Sequence, residues 1–387
     1  MKLYSKNMGL MACLVVVFLF ASSVQGQEPF EELVDSDTIA VSRINVEQVD
    51  MGKFIQSVST LASAIVDMSV ENEQDRQQAK QTLPVIVGMM VSPYASVFET
   101  LRANGVDSVY IIGNTKDAEV SDSYFAIPLS NQTDEQKKAL RDLAKGDSLS
   151  ALNIRFPFVR HGFLFAPIVK QGISDDDVKN YIKANFKELN PVANPIFSQG
   201  LSDYPDVALC IVSAVKTSEV SEEEISESLA NLDLSSVPGG AALAGEDMDE
   251  HKDTIARFAK EFANNVTAVV QGITVNELSW SLKLRLKSAA ALESVKKNLV
   301  GAAEEVITQT KKQQNAESAP LTEDLMTALT PVYGTDTVTW TIDKTFWTQN
   351  EALLRDIFKK VAAANAPASE EGTDDTSDSD DMEFDEM

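Results

Sequence analysis

Apolar and polar residues alternate most regularly over 279–288, where Trp280, Leu282, Leu284 and Leu286 share one side and Ser281, Lys283, Arg285 and Lys287 the other. A repeat of two predicts a strand with one buried and one solvated face. Together with the apolar run ahead of it, the stretch VTAVVQGITVNELSWSLKLRLK at 266–287 reads as two strands joined by a polar turn. An earlier stretch, DSVYIIGNTKDAEVSDSYFAIPL at 107–129, has the same form. In both places a helix-like segment leads in and a charged amphipathic helix leads out, over 133–145 in the first and 289–310 in the second. The opening strands also match: a β-branched run follows Asp37, and VALCIVSAV follows Asp206. Offsets between matched elements fall from roughly 168 to roughly 155 residues, the slow drift that duplication with loop insertion leaves.

Elsewhere the spacing is that of helices. Val49, Phe54, Val58, Leu61, Ile65 and Met68 recur every three to five residues and predict an amphipathic helix over 46–68. Residues 71–81 are almost wholly polar and read as a solvated helical turn or a loop. The next sixteen residues, 83–98, carry no charge. Their shortness and the interruptions at Pro84, Gly88 and Pro93 predict a buried helix rather than a membrane span, with an apolar ligand wall or an interface as the alternative. Thr133 and Gln136 have the spacing of a capping box. Ile154, Phe156 and Phe158 alternate into the turn Arg160-His161-Gly162, from which Phe163 and Phe165 return as a hairpin. Ser174 ahead of three aspartates opens a helix whose first turn suits the helix dipole.

Pro191 and Pro195 close the first half. In the second, 222–234 is expected to be helical, 235–253 a flexible Gly-containing loop, and 346–364 a closing helix. Val338, Trp340 and Ile342 alternate with threonines as a further strand. Asp37, Asp107, Asp206 and Asp336 each stand before a strand, where they fix the entering turn. The expected fold class is α+β, with two related halves, each of mainly antiparallel strands packed by amphipathic helices.

The ends change the picture of where the protein works. Lys2 and Lys6 precede an apolar run of 14 residues from Met8 to Ala21, and the small residues Val24 and Gly26 stand before Gln27. This is the pattern of a secretory signal peptide, too short to span a bilayer. Leu10-Met11-Ala12-Cys13 resembles a lipoprotein cleavage box, but its cysteine lies in mid-run instead of ending it. Cleavage before Gln27 leaves Cys210 as the one cysteine, so no intrachain disulfide is available and a core must hold the fold. Cys210 lies in an apolar run and reads as a buried thiol. The expected organisation is a signal peptide at 1–26, α+β halves at 27–200 and 201–366, and a disordered acidic tail at 367–387.

The formal charge is −26, and the tail holds ten acids and no base. That balance argues against nucleic acid or anionic lipid surfaces as partners and leaves cationic partners, divalent ions or solubility. The DDTSDSDD core of the tail lacks the glycine and terminal glutamate of an EF-hand loop, so loose divalent-cation binding is the most it implies.

Catalytic patterns are sparse. No HExxH, CxxC, GxGxxG, phosphate-loop or GxSxG motif occurs. SxxK spacing appears at Ser213–Lys216 and Ser294–Lys297, without the companion elements of a serine nucleophile. His161 lies in a predicted turn. Asp247, Asp249 and His251 are weak metal candidates, because these oxygens and the imidazole crowd one loop without the spacing that puts ligands on one face. No cofactor is expected. The layout of signal peptide, opening strand SDTIAVSRINVEQVD, paired strands and acidic end is similar to that of exported bacterial proteins with a duplicated α+β plan, and the likeness implies no site residue.

Three functions follow as expectations. The first is an exported protein, periplasmic or extracellular, that binds an unknown protein or a small apolar ligand without catalysis. The second is an exported hydrolase using clustered carboxylates such as Asp203 and Asp206 near Tyr204. The third is an apolar-ligand carrier that uses 83–98.

Overall fold

The computed structural model describes residues 29–70, 72–115, 119–146, 153–186, 191–215, 260–313, 324 and 327–356. Residues 1–28, where the signal peptide is expected, the acidic 367–387 and 222–253 with Asp247, Asp249 and His251 lie outside the described residues. In chain order the elements are a 3-10 turn at Pro29–Leu33, β1 (Thr38–Asn45), α1 (Met51–Ser69), α2 (Glu73–Ala103), β2 (Ser108–Asn114), β3 (Ser123–Pro128) and α3 (Asp134–Ala144). Then come β4 (Phe158–Arg160), β5 (Phe163–Ile168), α4 (Asp175–Asn185), α5 (Pro195–Ser202), β6 (Leu209–Ala214), β7 (Val266–Thr274) and β8 (Ser279–Leu286). The series ends with α6 (Ala289–Gln313), β9 (Val332–Tyr333), β10 (Thr337–Ile342) and α7 (Lys344–Gln349). The α+β expectation is met.

The ten strands among the described residues join one antiparallel sheet in the order β4-β5-β3-β2-β1-β6-β7-β8-β10-β9. Its centre is the β1–β6 pair, with Val41 opposite Val212 and Arg43 opposite Cys210. Read outward, one wing runs β2, β3, β5, β4 and the other β7, β8, β10, β9. Each wing therefore adds two strands in chain order and then a hairpin whose second strand lies inside its first. The boundary between the wings is a hydrogen-bonded ladder, so a ligand bound there must lie on a sheet face. Both outer edges are strands of three and two residues, short enough to limit edge-to-edge pairing.

Alternation decides which residues meet on each face. Ile44, Val109, Phe125, Ile127, Leu164, Leu209 and Ile273 pack beneath α1, α2 and α3, against Phe54, Val58, Val91, Phe98, Leu101 and Leu140. On the opposite face Val41, Tyr110, Ile112, Phe165, Val212 and Val270 meet the 3-10 turn, α4 and α5 through Phe30, Tyr181, Phe197 and Leu201. A third cluster joins Leu284, Leu286 and Val338 to Ala291 and Val295 of α6. Burying one such side chain contributes about 1.5–3 kcal/mol, so these clusters dominate the fold's stability.

Local signals fix the helix ends. Asp50 caps α1 by accepting from Lys53 N at 3.0 Å. Thr133 and Gln136 form the anticipated capping box, at 3.3 and 2.8 Å, and Ser174 caps α4. The polar stretch at 71–81 belongs mostly to α2, which begins after Asn72 accepts from Gln74 N. Helix α2 runs 31 residues and bends by 47° at Pro93, which supplies no N–H to the ladder. Pro195 opens α5 instead of closing the first half, because the Asn194 side chain caps the helix and proline's fixed φ suits its first position. The acids ahead of β1, β2 and β10 extend the ladders through their backbones: the carbonyls of Asp37, Asp107 and Asp336 accept from Thr115, Val46 and Leu286. His161 and Gly162 both have positive φ, as a two-residue hairpin turn requires.

Candidate functional sites

Two places on this scaffold bear on the anticipated chemistry. The first is the seam where α5 meets the sheet. Gly200 rests against β6 so closely that a Cβ there would lie 2.5 Å from a Val212 methyl carbon. Cys210 is buried, and its thiol donates to the Gly200 carbonyl at 3.7 Å. From β1, the buried Arg43 donates to the carbonyls of Leu201 and Tyr204 at 3.1 and 3.2 Å, satisfying acceptors at the C-terminal end of α5. The Tyr204 ring lies over Gly272 of β7, and Lys283 Nζ stands 5.0 Å from that ring's centroid. Burial, reinforced by the neighbouring charge of Asp203, pushes the Tyr204 phenol up to about 12.

Asp203 completes the seam and settles its chemistry. Arg285 grips it with two bonds, Nε to Oδ2 at 2.6 Å and Nη2 to Oδ1 at 2.8 Å, and Lys283 Nζ reaches Oδ1 at 2.8 Å. The Asp203 side chain is 10% exposed and its cations 20% and 24%. With both oxygens engaged by cations, Asp203 acts as the acceptor of a structural ion pair. Asp206 is exposed. Among the described residues no three His, Cys, Asp or Glu side chains gather as metal ligands. Ser294 of the second SxxK pair donates to Glu261 at 3.1 Å; Lys216 of the first lies outside the described residues.

The second place is the outer side of α1 and α2. Within 83–98 the structure buries Val87, Val91, Val97 and Phe98 in the core but leaves Val85 58% and Met89 65% exposed, four residues apart and on one side of α2. The uncharged run is therefore only half consumed by the core. Next to Pro84 of α2 a hollow of about 660 Å³ runs along α1, its lining mixed between Ile55 and Ala64 and the polar Gln56, Thr60 and Asp67. The start of α1 is anchored to the far wing: Asn276, in the β7–β8 turn, accepts from Asp50 N at 3.3 Å and donates to Gln48 O at 3.1 Å, while its carbonyl accepts from Ser57 at 2.7 Å. Arg102 of α2 donates to the carbonyls of Val46 and Val49 just ahead of α1. Among the described residues no single helix is long and apolar enough to cross a membrane, although the two bent parts of α2 together are.

No family model matches the chain, and no curated protein does. A solved structure described as "Structure of crystal form I of TP0453" is 10% identical with a TM-score of 0.29, covering 88% of this chain and 99% of that one. A likeness at that level places no residue and assigns no activity.

Proposed function

We propose that this is an exported binding protein without catalytic activity, composed of two copies of one α+β unit, that takes a small apolar ligand on the outer side of α1 and α2. The observation that carries the binding role is the exposure of Val85 and Met89 on one side of α2, in a run of sixteen uncharged residues of which the core uses only the other side. Apolar patches on one helix side mark contact surfaces, and methionine adapts to varied apolar partners. The equal outward strand order of the wings supports the duplication. The ion pairing of Asp203 favours binding over hydrolysis, because a carboxylate gripped by two cations is a poor general acid.

Native mass spectrometry of the full chain recovered from the exported fraction tests this reading. An adduct that organic extraction removes and identifies as apolar is the expected result. A bare chain that hydrolyses ester, peptide, glycoside or phosphate substrates, with activity abolished by a point substitution, would overturn it.

A further inference from the structure

A second cavity, of about 630 Å³, opens on the outer part of the first wing, and none of its lining belongs to α1 or α2. Three segments build it: the C-terminal end of α3 with Ala144, Lys145 and Gly146, the 154–158 segment leading into β4, and the side of α4 bearing Asp175, Lys179, Ile182 and Lys183. Its apolar lining is Ile154, Phe156, Pro157, Phe158 and Ile182. Phe158 is held rigidly, stacked on Phe165 at 5.4 Å and edge-on to Phe186 at 5.1 Å. In a chain of net charge −26 this lining carries four cations, Lys145, Arg155, Lys179 and Lys183, against the single carboxylate of Asp175.

The cations are arranged in two ways. Arg155 is fixed by donating to Ile173 O at 3.1 Å, with Asp175 3.6 Å away, and Lys179 lies 3.0 Å from Asp176. Lys145 and Lys183 are exposed and have no carboxylate partner among the described residues. The backbone supplies an independent sign of a built site. Phe156 has φ +49°, a left-handed conformation that a bulky side chain rarely adopts. Such strain persists where the surroundings over-determine it, commonly at ligand clamps. Here it holds the Phe156 ring at the mouth of the cavity with Lys179 Nζ 5.4 Å from its centroid.

We propose that this groove binds a small amphipathic organic anion, its apolar part against Ile154, Phe156, Phe158 and Ile182 and its head group between Arg155, Lys145 and Lys183. Cavities of a few hundred cubic ångströms with an apolar lining and few polar groups suit one small molecule, and the local excess of cations selects the sign of its charge. This site is separate from the one on α1 and α2, and the experiment keeps the two apart.

The full chain carrying V85K and M89K, which disables the apolar side of α2, is titrated by calorimetry with laurate below its micelle concentration, with dodecanol and with acetate. Laurate is expected to bind at least tenfold more tightly than dodecanol, more weakly as salt rises, and acetate not at all. Adding K145E and K183E, both at exposed positions, is expected to weaken laurate at least tenfold with the fold intact, the thermal midpoint falling only slightly because each lysine stands at a helix C-terminal end. Equal affinity for dodecanol, or laurate binding unchanged by K145E and K183E, would overturn the proposal. Sedimentation with phosphatidylglycerol vesicles in the absence of laurate binding would also overturn it, in favour of a membrane surface.

Discussion

Replacing Gly272 with alanine tests whether the seam at α5 is as tightly made as its geometry implies. A Cβ at this position would lie 2.7, 2.9 and 2.9 Å from three carbons of the Tyr204 ring, where ordinary contact begins near 3.4 Å. The ring must retreat by roughly half an ångström or more, and overpacking of this kind costs about 1–3 kcal/mol. It cannot retreat freely, because the Tyr204 carbonyl is held by Arg43, the adjacent Asp203 is gripped by Arg285, and Lys283 stands over the ring. In a Tyr204→Ala background the obstruction is gone, and alanine is favoured over glycine in a strand by roughly 0.5–1 kcal/mol. Urea unfolding of the wild type, G272A, Y204A and the double variant should therefore give a coupling of about 1–3 kcal/mol, with G272A neutral or stabilising once the ring is absent. Additivity within about 0.5 kcal/mol would show that the ring does not lean on Gly272 and would refute the packing argument.

Other consequences are testable in the same way. D50A removes the α1 cap and should cost about 0.5–2 kcal/mol at neutral pH. The carboxyl of Asp50 is held below its ordinary value, chiefly by the Lys53 N–H, so the charge-dependent part of this contribution is present above the unfolded carboxyl pKa and lost as pH falls through the folded one; the difference between D50A and wild type should shrink in acid. Tyr204 ionises near 10 when unfolded but near 12 when folded, so stability falls as pH rises from 10 towards 12, and Y204F should lessen that fall; burial of Tyr124 acts in the same direction and preserves part of it. In the Val41→Cys, Val212→Cys variant the two thiols face each other across the central ladder and should form a disulfide in the folded chain under mild oxidation; failure to form it would count against the β1–β6 pairing.

Much of the fold is legible in the pattern of residues, because a period of two at 279–288 states both strand and face, and the apolar runs at 107–129 state two strands joined by a turn. What it does not state is which strand lies beside which. The β1–β6 pair joins residues near 41 and 212, and nothing in either run names the other as its neighbour. Helix α5 hides behind Pro195, which terminates or initiates a helix according to whether a capping residue precedes it; Asn194 is the signal that decides. The 83–98 run shows its lack of charge but not the division between buried Val91 and exposed Met89, which depends on where the sheet lies under α2. Asp203 looks reactive in sequence beside Tyr204, yet its two partners come from β8, eighty residues on. The groove around Phe156 draws its cations from three segments, so no local motif announces it.

The binding role itself is tested most directly by titrating dodecanol into the full wild-type chain and into V85K and M89K together, following the thermal midpoint and calorimetric heat. The account predicts saturable binding to the wild type, weakened at least tenfold by the two lysines with the fold intact. Binding of equal strength in both proteins, or none in the wild type, would contradict it.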